Sequence, residues 1–356
     1  MHGTLDSMTH PHTRLPCMAA LMALGFGLLS ACTEKDTSQT LETQPDQVHR
    51  RMPAEWEPQA AIWLQWPAGW EGSNVERAFV NIVSVLVQYE SVQLVVNTES
   101  HRSQAVEALA ELDQERIDFH VIPINSSWMR DNGPRYILEN DELILQDWGF
   151  NGWNLPDVPY ERDNAVPEAI SEILSLPFES VPLIHERGDL EVNGKDTVMA
   201  SWTVLSDRNP ELNQAEITAQ LKEATGADSV IYIEGHDPLD ITLGHVDGMA
   251  RFVSEETIIV GQDGSELMDS VALQIAEQRP DLRIERLESE SAGILINWLV
   301  GDDFVLVGDS QSEEDNAVAE ALLNQYFPDR TVHFVNVNAL WMNGGGVHCV
   351  TNDQPE

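Results

Sequence analysis

The sequence predicts an α/β fold, a single domain of repeated strand–strand–helix–strand units that close around an axis. Three observations predict it. Four hairpin patterns recur, their turns roughly 50 to 60 residues apart. Each is followed by a helical or mixed stretch and then by an extended apolar run. The pieces of a fifth unit lie at the two ends of the folded region.

The elements follow in order. Residues 33–51 are polar, without apolar periodicity, and read as a tether. The folded domain, 52–356, opens with "MPAEWEPQAAIWLQWP". The hairpins are "YILENDELILQDW", "DLEVNGKDTVMASW", "GMARFVSEETIIVGQ" and "ILINWLVGDDFVLVGDS", turning at END, VNGK, SEE and GDD. Asn193-Gly194 is the strongest signal for a type I′ turn. Helical stretches follow at 164–175, 210–225, 264–279 and 313–327, and then "VPLIHE", "SVIYIEG", "LRIERLES" and "TVHFVNVN". The fifth unit is assembled from "AAIWLQWP", a helix around 74–90, "VQLVVNT" and the C-terminal "GGVHCV". Closure would bring the loops between units to one central site.

The formal charge is −41, from 60 acidic and 19 basic side chains. That excludes generic binding to a phosphate backbone, which needs Lys and Arg. It suits a cationic small molecule, a basic peptide, or solvation in a salty environment. Lysine occurs only at 35, 195 and 222, and the acids are scattered, so the surface reading has the larger share.

Residues 1–32 read as a targeting segment. His12 and Arg14 precede the apolar run 17–29, which is short for a bilayer span and suits a signal peptide. It ends in Leu29-Ser30-Ala31-Cys32, which resembles a bacterial lipobox, with Cys32 the lipidated residue. Thr33 after it favours the outer membrane over the inner. The expectation is an exported protein held to a membrane only by this N-terminal anchor. Cys17 leaves with the signal and Cys32 carries lipid, so Cys349 is the one thiol of the mature domain and no internal disulfide forms.

Three stretches combine glycines, acids and histidine: "SSWMRDNGPRYI", "DITLGHVDGMARF" and "NGGGVHCVTNDQP". A nucleophilic thiol needs a positioned histidine and surroundings that favour thiolate. His245 and Asp247, two apart, share one face of an extended chain. Each alone is weak evidence. A lone His beside Asp is more often a surface pair, and a lone buried cysteine is more often inert packing.

Together, "MPAEWEPQAAIWLQWP", "WMRDNGP", "DWGFNGW", "DITLGHVD" and "GGGVHCVTNDQP" resemble the agmatine deiminase and bacterial (porphyromonas-type) peptidylarginine deiminase family of the guanidine-modifying superfamily. The resemblance runs from 52 to the C-terminus. It implies a five-bladed pseudosymmetric α/β propeller (pentein) of ββαβ repeats. It also implies hydrolysis of a guanidine through a covalent amidino-cysteine, with no metal and no cofactor. Carried over, Cys349 is the nucleophile, His245 the general acid/base, and Asp131 and Asp247 the carboxylates that grip the guanidinium. Trp128, Trp148 and Trp153 lie in the matching blocks, and the resemblance implies that some of them, Trp128 and Trp148 first, line the substrate channel, where Gly345 and Gly346 allow close backbone approach. In "HERGDLEVNG", Arg187 stands where the family often has the first of two glycines. A cation there would repel an amine and could hold a substrate carboxylate, as could Arg135. The implied substrate is a small cationic guanidine, with agmatine ahead of free arginine, or an arginine peptide. The rival readings are a metal-dependent hydrolase using His245, Asp247 and Asp131, and a non-catalytic guanidine- or polyamine-binding protein.

Overall fold

The computed structural model describes residues 49–67 and 75–356. The signal segment 1–32 and the tether up to residue 48 lie outside the described residues. Among the described residues no helix is long and apolar enough to cross a membrane.

Five small sheets form the domain. Blade one pairs Arg135–Glu139 with Glu142–Gly149 antiparallel; helix Val166–Leu174 then returns the chain to Phe178–Ile184, parallel to the second strand. Blade two is Glu191–Val192, Thr197–Ser201 and Ser229–Ile233, with Gln214–Thr225 as its main helix. Blade three is Ala250–Ser254, Thr257–Gln262 and Arg283–Glu288, joined through Glu266–Gln278. Blade four is Leu299–Val300, Phe304–Gly308 and Thr331–Val335, joined through Glu313–Tyr326. Blade five uses both ends of the domain. Thr351–Pro355 lies antiparallel to Gln59–Gln65, and Val92–Val96 follows in parallel through Glu76–Leu86. The ββαβ propeller is therefore present.

The sequence dictates these elements by familiar means. Helix Glu76–Leu86 buries Phe79, Ile82, Val83 and Leu86, one stripe at helical spacing. Each such side chain contributes about 1.5–3 kcal/mol on burial. Helix Gln214–Thr225 starts at Asn213, whose side chain and Glu216 form a capping box. It ends at Gly226, φ +75°, where an added Cβ would sit 1.8 Å from the Arg50 carbonyl oxygen.

Four details depart from expectation. Arg50–Arg51 is a strand edge on Leu138 and Glu139, so the ordered chain starts before residue 52; Arg50 also meets Glu139 and Glu179. The turn at Asn193 is not a two-residue turn. Its side-chain oxygen accepts from the backbone N–H groups of Lys195, Asp196 and Thr197, and so organises a longer loop. In blade five, "HCV" is a 3₁₀ turn and the strand is the polar Thr351–Pro355 that follows. Blade five also carries an extra helix, Glu99–Ala108, and strand, Ile117–Val121.

Ahead of each blade's first strand stands a short helical turn: Met129–Asn132, Arg187–Asp189, Val246–Gly248, Ala292–Ile296 and His348–Val350. Neighbouring turns touch around the axis. The last contact is made by Asn297, which accepts from the His348 backbone N–H at 3.0 Å.

Candidate active site

These turns each bring a functional side chain or backbone to the centre. His348–Val350 carries Cys349, which is partly exposed. Asn297 donates to its Sγ at 3.3 Å, and Sγ lies 3.7 Å from Asp247 Oδ2. The glycines before it have distinct duties. Gly344 holds φ +104°. A Cβ on Gly345 would lie 2.3 Å from the Trp128 ring, and one on Gly346 would lie 2.4 Å from Asn297 Oδ1.

His245 caps the turn that carries Asp247. Its Nδ1 lies 3.6 Å from Asp131 Oδ1 and its Nε2 3.6 Å from Glu186 Oε2. Burial alone would lower its pKa, but Asp131 and Glu186 overcome that and raise it to about 10. His245 is thus an imidazolium at neutral pH. Glu186 stays ionised despite its burial, held by His245 and by Arg208 at 2.8 Å. Burial raises Asp131 to about 6, with His245 opposing and Asp247 and Glu186 adding to the rise. The Asp131 carboxylate accepts from Trp153 Nε1 at 2.9 Å and from the Gly188 N–H at 3.2 Å. Asp247 is held low: its burial is outweighed by His348 at 2.7 Å and by the charges of His245 and Arg251.

Gly188 sits at the centre of this set. A Cβ there would lie 2.6 Å from Asp131 Oδ1, 2.8 Å from His245 Nδ1 and 3.2 Å from Asp247 Oδ2. Asp131, Asp247 and His245 are therefore gathered around one backbone surface, and Cys349 adjoins the set through Asp247. Burial pushes the Cys349 thiol well up, and Asp247 and Asp131 push it further, so it rests protonated. A cation bound between the two carboxylates would oppose both acidic contributions.

The other anticipated residues divide. Trp128 is buried and packs on Gly345. Trp148 is buried elsewhere: its indole N–H donates to Gln146, and the Arg135 guanidinium lies over its ring at 4.3 Å. Its neighbours are Val181 and Leu183, so the structure uses it as core and not as a substrate wall. Arg187 also departs from expectation. Both Asp353 oxygens lie 2.8 Å from its Nη2, and Asn352 accepts from its Nη1 at 2.7 Å. Its charge is committed to a buried acid. Arg135 is held by neutral partners instead, donating to the His185 carbonyl at 2.7 Å and lying over the Trp148 ring.

Glu186, Gly188, Asn297, His348 and Glu55 were not singled out from the sequence. The repeat register was the available signal for Asn297, which precedes its blade's first strand by two residues, as Cys349 does. Among the described residues no group of three or more His, Cys, Asp or Glu is arranged to hold a metal ion. That leaves the metal-hydrolase reading without a ligand set there.

Known proteins resemble the chain in sequence and in fold. Agmatine deiminase of Pseudomonas aeruginosa (strain UCBPP-PA14) is 26% identical over 355 residues, covering 86% of this chain and 95% of its own length. Agmatine deiminase of Ectopseudomonas mendocina (strain ymp) is 27% identical over 366 residues, covering 89% and 98%. The solved agmatine deiminase of Enterococcus faecalis superposes with a TM-score of 0.78 at 23% identity, over 86% of this chain and 96% of that one, and so shares the fold. Residues 51–355 match the sequence profile of the Porphyromonas-type peptidyl-arginine deiminases, and the chain belongs to that family.

Proposed function

We propose that the protein hydrolyses the guanidine of agmatine to a ureido group and ammonia through a covalent amidino-Cys349 intermediate. The observation that carries this is the clustering of one imidazolium and two carboxylates around the bare backbone of Gly188, with one thiol beside the second carboxylate. Two carboxylates suit the planar N–H fork of a guanidinium. Cys349 attacks the central carbon, His245 protonates the departing nitrogen, and His245 then deprotonates the water that hydrolyses the thioether. No step needs a metal or a cofactor.

The arginines near the site support a substrate without a carboxylate. Arg187, Arg135 and Arg208 are spoken for by Asp353, the His185 carbonyl and Glu186. That favours agmatine over free arginine. An arginine peptide, whose residue carries no free carboxylate, is the second reading, and the family's own description favours it. Export and lipid attachment through Cys32 belong to this proposal and would place the enzyme where peptides are met.

The test is an assay of residues 33–356 for ureido product and ammonia with agmatine, free arginine and an arginine peptide, each beside a Cys349→Ser control. Turnover of agmatine that vanishes in the control is the expected result. Silence on all three with tight agmatine binding would make the chain a binding protein.

A further inference from the structure

Attack by Cys349 requires its thiol to lose a proton, and His245 is poorly placed to take it. Both His245 nitrogens face carboxylates, and the ring already carries its second proton. Asn297 Oδ1 lies 3.5 Å from the thiol but belongs to a neutral amide that cannot keep the proton; the nearest carboxylate acceptor is Asp247 Oδ2, at 3.7 Å. That same oxygen lies 2.7 Å from His348 Nδ1, and His348 Nε2 lies 2.8 Å from Glu55 Oε2. Glu55 borders a cavity of about 30 Å³ that His348, Arg130 and Arg251 also line. A water needs about 10–15 Å³, so about two would fit.

Resting on the deiminase reading, we propose that the thiol proton leaves through Asp247, His348 and Glu55 toward this cavity, and returns the same way when the thiol is regenerated. Two geometric facts carry it. A neutral imidazole has one N–H, yet His348 has a carboxylate at hydrogen-bond distance from each nitrogen. The second contact needs a further proton, so the triad is shaped around one that the ring alone does not supply. Exposure returns at the far end of the relay. The side chains of Asp247 and His348 retain 3% and 2%, and Glu55 retains 12%. The path thus runs from the thiol through two buried groups to a carboxylate that water reaches.

The charges facing the chain set its balance. Arg251 lies 3.0 Å and Arg130 3.6 Å from Glu55 Oε2, and both disfavour a charged His348, as does its burial. Asp247 and Glu55 on either side oppose them. Asp131 and Asp247 face the thiol, and Asn297 donates to it.

The step balances. The S–H bond breaks with its electron pair left on sulfur, and that pair forms the S–C bond. The proton passes to Asp247 Oδ2 and on to His348 Nδ1, while the Nε2 proton passes to Glu55. His245 separately gives its proton to the departing nitrogen, which leaves as ammonia. In the second half, water gives one proton to His245 and its oxygen to carbon. The C–S bond breaks with its pair returning to sulfur, and a proton returns along the chain. Guanidinium and water thus yield the ureido product, ammonia and one proton.

The experiment uses the enzyme with His348→Gln and with Glu55→Gln, each checked for folding by its melting curve. We measure kcat, KM and the pH profile of Cys349 alkylation by neutral iodoacetamide, with and without guanidinium ion. The expected result is a kcat loss on the order of 10²-fold with KM little changed, and an alkylation limb moved to higher pH. Unchanged kcat and alkylation profiles in a folded variant would overturn the proposal. So would a His245→Gln variant that alone moved the limb. If neither variant folds, ¹⁵N NMR of His348 in the wild type decides. Guanidinium ion should raise thiolate absorbance and move the His348 ring proton from Nε2 to Nδ1, a tautomer change that ¹⁵N shifts resolve; a thiolate that forms while the His348 tautomer stays unchanged overturns the relay. Alkylation reads the sulfur without turnover, so a wild type that hydrolyses no guanidine would sink the proposed function separately.

Discussion

Trp153 and Trp148 lie five residues apart in one short motif, and only structure separates them. Trp148 falls on the strand Glu142–Gly149 and faces the core beside Arg135. Trp153 lies past the strand in a left-handed turn, φ +57°, which swings its indole N–H onto Asp131. Trp153→Phe keeps the ring and removes that donor. A hydrogen bond to a charged group is worth about 1.5–3 kcal/mol, so kcat/KM should fall by about 10- to 100-fold, measured under dilute substrate. The free enzyme needs Asp131 ionised and His245 protonated. Its kcat/KM should therefore climb as pH rises through about 6 and decline as pH rises through about 10. A profile flat across the lower limb would contradict the Asp131 assignment. Cys349, His245, Asp131 and Asp247 were named through the family resemblance of their motifs, and the structure brings the four together. The pairing of Arg187 was not legible: its partner Asp353 is 166 residues away, and nothing local predicts such a pair.

At the scale of the element, the five turns before the first strands matter more than the strands themselves. Their positions follow from the repeat, and the sequence shows the repeat through its hairpins. What it hides is which backbone must stay bare. Gly188→Ala would force a methyl within 2.6 Å of Asp131 Oδ1. Kinetics should show near-complete loss of turnover, with a melting temperature close to the wild type because the clash lies in the pocket and not in a blade. Glu186 anchors the same region through Arg208, both side chains fully buried. Removing one partner of such a pair leaves an uncompensated charge, so Arg208→Ala should cost about 3–5 kcal/mol in denaturant unfolding. The extra strand Ile117–Val121 escaped the sequence reading although it alternates strictly, with Asp118 and His120 between Ile117, Phe119 and Val121: it lies outside the repeated unit, and the reading followed the repeat.

The whole molecule carries a charge of −41, and self-repulsion on that scale opposes the compact state. Added salt should raise the melting temperature and, by screening, raise KM for a cationic substrate. Acidity works in the same direction as screening. Burial raises Glu90 and Glu191 to about 7 from an ordinary value of 4.5. Their protonated forms are favoured in the fold, so that stabilisation is complete below about pH 4.5 and is lost as pH rises through about 7. Thermal melts at pH 5 should therefore exceed those at pH 8. A higher melting temperature at pH 8 would show that other groups dominate.

Blade five joins Gln59–Gln65 to Thr351–Pro355, and Cys349 sits two residues before the later strand. A ribosome delivers the first four blades before it delivers this strand. The nascent chain then carries both acids of the proposed site, Asp131 and Asp247, while it still lacks Cys349. Chemistry then switches on with ring closure. A single endoproteolytic cut between Val335 and Cys349 would reverse that order, opening the ring and parting the thiol from both acids.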